Sequence, residues 1–225
     1  MLRRIVLAAL LVLLVLFSAS AFSAPGGKYY AGVGVTRMTD VPSPELISFE
    51  GPDARYSLNG LGASVTGESS NETANSIFFG GFLNDWVALE VSYTQGLSSS
   101  RSIEAYFPGQ SAKYVIESQR EIRALGASLL WTWKLAEKIH LFARTGMERR
   151  MVEDWQKLEF YYRDQSGTFV RASGADNDYR RKYDSGSYTG AGVTYFLRKD
   201  VGIRLEHSAR IGSITRTTLS LQYGW

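Results

Sequence analysis

From Lys28 onward the chain alternates apolar residues with polar or small ones in run after run, and it holds no later apolar stretch of the roughly 20 residues that a spanning helix needs. Period two is the period of an extended strand, whose successive side chains point to opposite faces. The first run, KYYAGVGVTRM, sets Tyr29, Ala31, Val33 and Val35 against Tyr30, Gly32, Gly34 and Thr36. SIFFGGFL offers Ile77, Phe79 and Leu83, and VALEVSYT sets Val87, Leu89, Val91 and Tyr93 against Ala88, Glu90, Ser92 and Thr94. A fourth run sets Leu125, Ala127, Leu129, Trp131 and Trp133 against Ala124, Gly126, Ser128 and Thr132, and a fifth sets Ile139, Leu141 and Ala143 against His140, Arg144 and Glu148. The last three place Ala191, Val193, Tyr195 and Leu197, then Val201, Ile203 and Leu205, then Leu219, Leu221, Tyr223 and Trp225 on their apolar faces, opposite residues that include Thr194, Arg204, Glu206, Arg216 and Gln222. The expectation is eight strands.

A soluble sandwich shows the same alternation with its apolar face turned inward, so the pattern by itself leaves two architectures open. Connection length separates them. Asn84-Asp85, Ala136-Glu137-Lys138 and Arg198-Lys199-Asp200 are tight turns, whereas the connections around residues 40–73, 97–117 and 153–184 read as long loops. Short turns at one end and long loops at the other describe an outer-membrane barrel. Aromatic residues collect near the turn ends of the strands, where Trp86, Trp131, Trp133 and Tyr195 are expected to form an interfacial girdle. The final run TTLSLQYGW, with Leu219, Leu221, Tyr223 and Trp225 on one face, looks like the terminal strand that outer-membrane insertion machinery reads.

The N-terminus fits export. Arg3 and Arg4 precede an uncharged apolar core from Ile5 to Phe17, and Ala19-Ser20-Ala21 supplies a small-x-small cleavage pattern, so residues 1–21 are expected to be a signal peptide and 22–225 the barrel domain. An uncleaved anchor is the alternative, but the apolar core is too short to span. Without Arg3 and Arg4, the 25 Lys+Arg become 23 against 22 Asp+Glu, so the net charge falls from +3 to +1 and gives no reason to expect a nucleic-acid partner. With no cysteine and two histidines, zinc-finger, iron–sulfur and thiol-enzyme chemistry is excluded, and neither a metal nor another cofactor is expected.

Four segments, taken in order, carry a family likeness: the GVGV of the first strand, GGFLNDWVALEVSYTQ, TGAGVTYFLRKDVGIRLE and the terminal LSLQYGW. From about Tyr29 to Trp225 the chain resembles the small outer-membrane β-barrel family that includes the transmembrane domain of outer membrane protein A and the opacity-type surface proteins. The resemblance implies an eight-stranded, antiparallel, up-and-down transmembrane barrel with short periplasmic turns and long extracellular loops in a Gram-negative cell envelope. Two departures stand out. The expectation is a barrel without the peptidoglycan-binding domain that some relatives carry, and the fifth strand, LFARTGMERR, is more charged than a glycine-rich version would be.

A barrel of eight strands is just wide enough for side chains to fill it. The inward set includes Glu90, Arg144, Glu148, Arg204, Glu206 and Arg216, and buried charges need partners, so an ion-pair network across the lumen is expected. Such a network either plugs the barrel or, by exchanging pairs, gates a small porin-like pore. A third reading is enzymatic, since some small outer-membrane barrels are lipid A deacylases and Leu205-Glu206-His207-Ser208 holds the residue types such enzymes use. Neighbours on a strand face opposite ways, however, so His207 and Ser208 cannot serve one ester, and no catalytic residue is assigned. His140 lacks an adjacent Ser or Cys.

The connection at 153–184 interleaves Trp155, Phe160, Tyr161, Tyr162, Phe169 and Tyr179 with Lys157, Arg163, Arg171, Arg180 and Arg181, and YYRDQSGTFV reads as a hairpin. Arg120, Arg123, Arg149 and Arg150 fall near loop ends, where lipid phosphates sit. The expectation is therefore a non-enzymatic, monomeric barrel, structural or surface-exposed, acting in envelope integrity, adhesion or as a surface antigen. Its expected partners are outer-membrane lipids, lipopolysaccharide at the loops, and the insertion machinery during assembly.

Overall fold

The computed structural model describes residues 29–39, 62–107, 109, 111–210 and 215–225; the expected signal peptide at 1–21 and residues 40–61 of the first long connection lie outside the described residues. The strands are β1 (Tyr29–Met38), β2 (Gly62–Asn71), β3 (Thr73–Phe82), β4 (Val87–Tyr106), β5 (Ala112–Ala136), β6 (Ile139–Arg163), β7 (Phe169–Phe196), β8 (Val201–Arg210) and β9 (Thr215–Gly224). β1 pairs with β3 and with β9, and antiparallel pairing continues from β3 through β4, β5, β6, β7 and β8 to β9. This is a closed ring of eight strands. Closure leaves no unpaired backbone edge in the ring, as a membrane demands of strands.

β2 is the continuation of β3 past a break at Glu72, and it pairs with the far half of β4, from Asn71 opposite Ser98 to Gly62 opposite Tyr106. Asn71 holds the break: its amide donates to the Gly96 carbonyl at 3.0 Å, and its side-chain oxygen accepts from the Thr73 N–H at 3.1 Å. At the other end the turns are tight. The Asn84 side chain, for example, accepts from the Trp86 and Val87 N–H groups at 2.9 Å each.

The faces separate in the sense a membrane requires. Val33 is 58% exposed and Leu219 57%, while Glu90 is 1% and Arg204 2% exposed, an inversion that excludes the soluble sandwich. Two apolar layers nevertheless lie inside the ring. Tyr30, Phe78, Ala88, Leu130 and Phe142, with Phe82, fill the turn end, and Met38, Ala74, Leu97 and Ile122, with Val152, form a second layer nearer the loops.

Strand length departs from the sequence reading. The connections at 97–117 and 153–184 are mostly strand, because alternation continues through them. β4 buries Ile103 and Ala105, β5 buries Tyr114 and Ile116, and the outer faces carry paired charges such as Lys113 and Glu104 at 2.7 Å. β5 and β6 each run 25 residues and β7 runs 28, against the roughly 9–11 residues a tilted strand needs to cross the hydrocarbon. β2 and the far halves of β4 to β7 thus build an extension beyond the ring. Its β6–β7 hairpin closes where the Asp164 carboxylate accepts from the Ser166 N–H, the Ser166 hydroxyl and the Thr168 N–H, with Gly167 at a φ of 82°.

Candidate functional site: the charged lumen

The inward faces of β4, β6 and β8 bring Glu90, Arg144, Arg204 and Glu206 to one level, above the aromatic layer at the turn end. They make a closed cycle. Arg204 donates to Glu90 at 2.6 Å and to Glu206 at 2.7 Å, while Arg144 donates to Glu206 at 2.8 Å and lies 3.1 Å from the other Glu90 oxygen. Two guanidiniums and two carboxylates cancel, which lets fully buried charges persist. Further bonds complete the cycle: Tyr30 donates to Glu90 at 3.1 Å, and Arg144 donates to the Ser128 and Tyr188 hydroxyls at 2.7 Å each. Arg204 also lies over the ring faces of Phe78 and Phe142, at 5.0 and 4.2 Å from the centroids. The aromatic layer and the charged layer are therefore packed as one unit.

Glu148 and Arg216 form a second group nearer the loops. Glu148 accepts from Arg150 at 2.6 Å and from Arg216, and Arg216 donates to the Ser208 hydroxyl at 2.9 Å. Tyr188, 1% exposed, joins the two groups, its ring lying 5.0 Å from the Arg144 guanidinium and 4.5 Å from that of Arg216. Beyond the second apolar layer, Arg120 and Asp154 form a buried bidentate pair at 2.6 and 3.0 Å. The space left over is small. Voids among the lumen side chains include two of about 30 Å³ each, room for a water or two.

The structure thus places the six candidate lumen residues inside the barrel, in two paired groups. Tyr30, Ser128, Arg150, Tyr188 and Ser208 belong to the same network and escaped the sequence reading, although each sits at an inward position of its alternating run. Arg120 and Arg150 require correction. Expected near lipid phosphates, they point inward because β5 and β6 keep the register that puts even-numbered residues inside, and they are only 6% and 4% exposed. Arg123 and Arg149 do face outward: Arg123 is bonded to Glu121 at 2.9 Å, and Arg149 lies over the Tyr183 ring at 4.6 Å.

Trp86, Trp131, Trp133 and Tyr195 are exposed at the turn end, as are Tyr223 and Trp225, while Leu219 and Leu221 are exposed further along β9. The backbone N–H and carbonyl of Trp225 bond Tyr29 at 2.9 and 3.2 Å, which closes the β1–β9 seam. His207 faces outward with its Nδ1 3.0 Å from the Thr217 hydroxyl, and Ser208 faces inward at 1% exposure. His140 packs edge-on against Phe196 at 4.8 Å. Among the described residues no group of His, Asp and Glu side chains is arranged to hold a metal ion.

The fold is similar to several solved barrels. Ail, the attachment invasion locus protein of Yersinia pestis, is 9% identical, with 88% of this chain and 97% of that chain covered and a TM-score of 0.42. Neisserial surface protein A is 12% identical, with 90% and 99% covered and a TM-score of 0.44. OprG from Pseudomonas aeruginosa is 9% identical, with 90% and 100% covered and a TM-score of 0.46. No curated protein matches the chain. The sequence model of the outer membrane protein beta-barrel domain matches residues 9–225, nearly the whole chain, so the protein belongs to that family and is an outer-membrane β-barrel protein.

Proposed function

We propose that this is a non-enzymatic envelope protein whose lumen is a permanent plug and whose strand-built extension works at the cell surface. Strand length is the observation that carries the reading. More than half of β5, β6 and β7 stands beyond what a membrane crossing uses. The extension displays aromatic and charged groups together: Lys113 lies 5.1 to 5.8 Å from the ring centroids of Tyr106, Tyr161 and Phe169, and Arg171 pairs with Glu159 at 3.0 Å. Such surfaces suit adhesion or recognition by other molecules. Around the barrel wall, outer-membrane lipids are the partners, and the outward Arg149 and Arg123 suit lipopolysaccharide phosphates.

The second reading, a small gated pore, draws on the Glu90–Arg144–Glu206–Arg204 cycle, in which each carboxylate has two guanidiniums to exchange between. The enzymatic reading is weakened by the opposite directions of His207 and Ser208. Two experiments test the proposal. In a planar bilayer the refolded protein is expected to be silent, whereas reproducible openings altered by Glu90→Ala would favour the pore. Trypsin added to intact cells is expected to cut after the exposed Arg163 and leave the ring embedded. Protection of Arg163 on intact cells, with cleavage after the outer membrane is opened, would place the extension in the periplasm and end the surface reading.

A further inference from the structure

Past the apolar layer of Met38, Leu97 and Ile122, the extension contains a chamber of about 950 Å³ bounded by β2, β4, β5, β6 and β7. Its size falls in the range of small-molecule sites. The wall includes Ser70, Ser99, Arg120, Gln156, Asn177 and Asp178, of which Ser99, Arg120 and Gln156 are buried side chains on inward faces. Serine hydroxyls and amides both donate and accept hydrogen bonds. The cations along this wall already have counter-charges: Arg120 is held by Asp154, and Lys157 by Glu159 at 2.7 Å.

Two further observations point to a ligand. One step along the same inner faces, Arg101 stands opposite Ser118, and the buried Ser118 Oγ and Arg101 Nε have no hydrogen-bond partner among the described residues. Buried polar atoms normally find partners, so these two present an unused hydroxyl and an unused donor beside the chamber. β2 and β7 both line the chamber, and among the described residues no strand pairing joins them. The paired rings of Trp155 and Tyr179, 5.6 Å apart, border the same level.

We propose that this chamber binds an uncharged, hydroxyl-rich ligand, a short neutral saccharide in chemical class. The lining offers many groups that both donate and accept, its cations Arg120 and Lys157 are answered within the wall, and its carboxylates Glu117, Glu121 and Asp178 repel an anion. A saccharide hydroxyl uses the first property and needs nothing from the second. The site is separate from the lumen network and stands independently of the surface role proposed above.

The test is calorimetric titration of the full chain, refolded in an amine-oxide detergent without sugar headgroups, with maltotriose as the neutral probe and glucuronate and inorganic phosphate as anionic ones. Saturable maltotriose binding is expected, weakened about tenfold by Ser99→Leu with Gln156→Leu, which narrow the chamber and remove two hydrogen-bonding side chains. Gln156→Ala, which opens space rather than filling it, is expected to weaken binding by a smaller factor and decides the matter if the double variant does not fold. Absence of saturable binding to the wild type, equal binding by the folded variants, or tighter binding of glucuronate or phosphate than of maltotriose would each overturn the proposal.

Discussion

Glu90 is 1% exposed and accepts from both Tyr30 and Arg204, so its removal leaves a guanidinium in a dry interior without a full set of counter-charges. Breaking one partner of a buried pair costs about 3–5 kcal/mol. Glu90→Ala and Arg204→Ala are each expected to lower the urea midpoint of the refolded barrel by that order, and the double variant by less than their sum, because it removes both halves of one interaction. Additive losses would mean that the pair is not coupled. Outside the membrane, pH reads a different contact. Hydrogen bonds from Lys113, and then from Tyr106, hold the Glu104 carboxyl below its ordinary value of 4.5. A carboxyl depressed in the folded state adds stability above its unfolded pKa and loses it as pH falls through the folded one. The β4–β5 contact is therefore expected to be intact at neutral pH and to loosen only on acidification below the ordinary carboxylate range. Carboxyl NMR titration of Glu104 checks this, with Lys113→Met returning the value toward normal.

At the scale of the strand, the seam between β1 and β9 is the most demanding pairing, since it joins the two ends of the ring. Gly34 is close-packed there: an added Cβ would meet the Leu219 carbonyl at 2.7 Å and the Ser220 Cβ at 2.6 Å. Gly34→Val is expected to destabilise the barrel by about 1–3 kcal/mol through overpacking, seen as loss of the compact band in unboiled electrophoresis. Deleting Trp225 removes both its backbone bonds to Tyr29 and its ring contact with Phe79 at 5.9 Å, and is expected to reduce outer-membrane insertion in cells. Strand faces were legible in the sequence because a one-residue slip would turn every apolar side chain of a strand away from lipid. Partners were not. Glu90 and Arg204 are 114 residues apart, and only the strand registers bring them together. Nor was strand length legible in the extension, where Ser98 to Ser102 and the charges of 176–184 have the composition of loops while their backbones pair.

For the whole molecule, a ring filled at two apolar layers and two charged ones has one expected behaviour: it resists unfolding as a unit and conducts nothing. Heating is expected to shift its electrophoretic mobility in a single step, with no intermediate band. An intermediate band that disappears when the β4–β5 and β6–β7 hairpins are shortened would show that the extension melts by itself. The junction between these two parts has a precise cause in β4, where Gly96, at a φ of 102°, sits in a register shift between Thr94 and Leu97. Before it, even-numbered residues such as Glu90 and Thr94 face inward; after it, odd-numbered ones such as Leu97, Ser99 and Ile103 do. Gly96 therefore acts like a punctuation mark in a reading frame. A strand that ran straight through Gln95 and Gly96 without the bulge would leave the membrane half of β4 spelled correctly and turn the outer half inside out, exposing Ile103 and burying Glu104, so the two halves of a continuous strand can be inherited, and altered, as separate words.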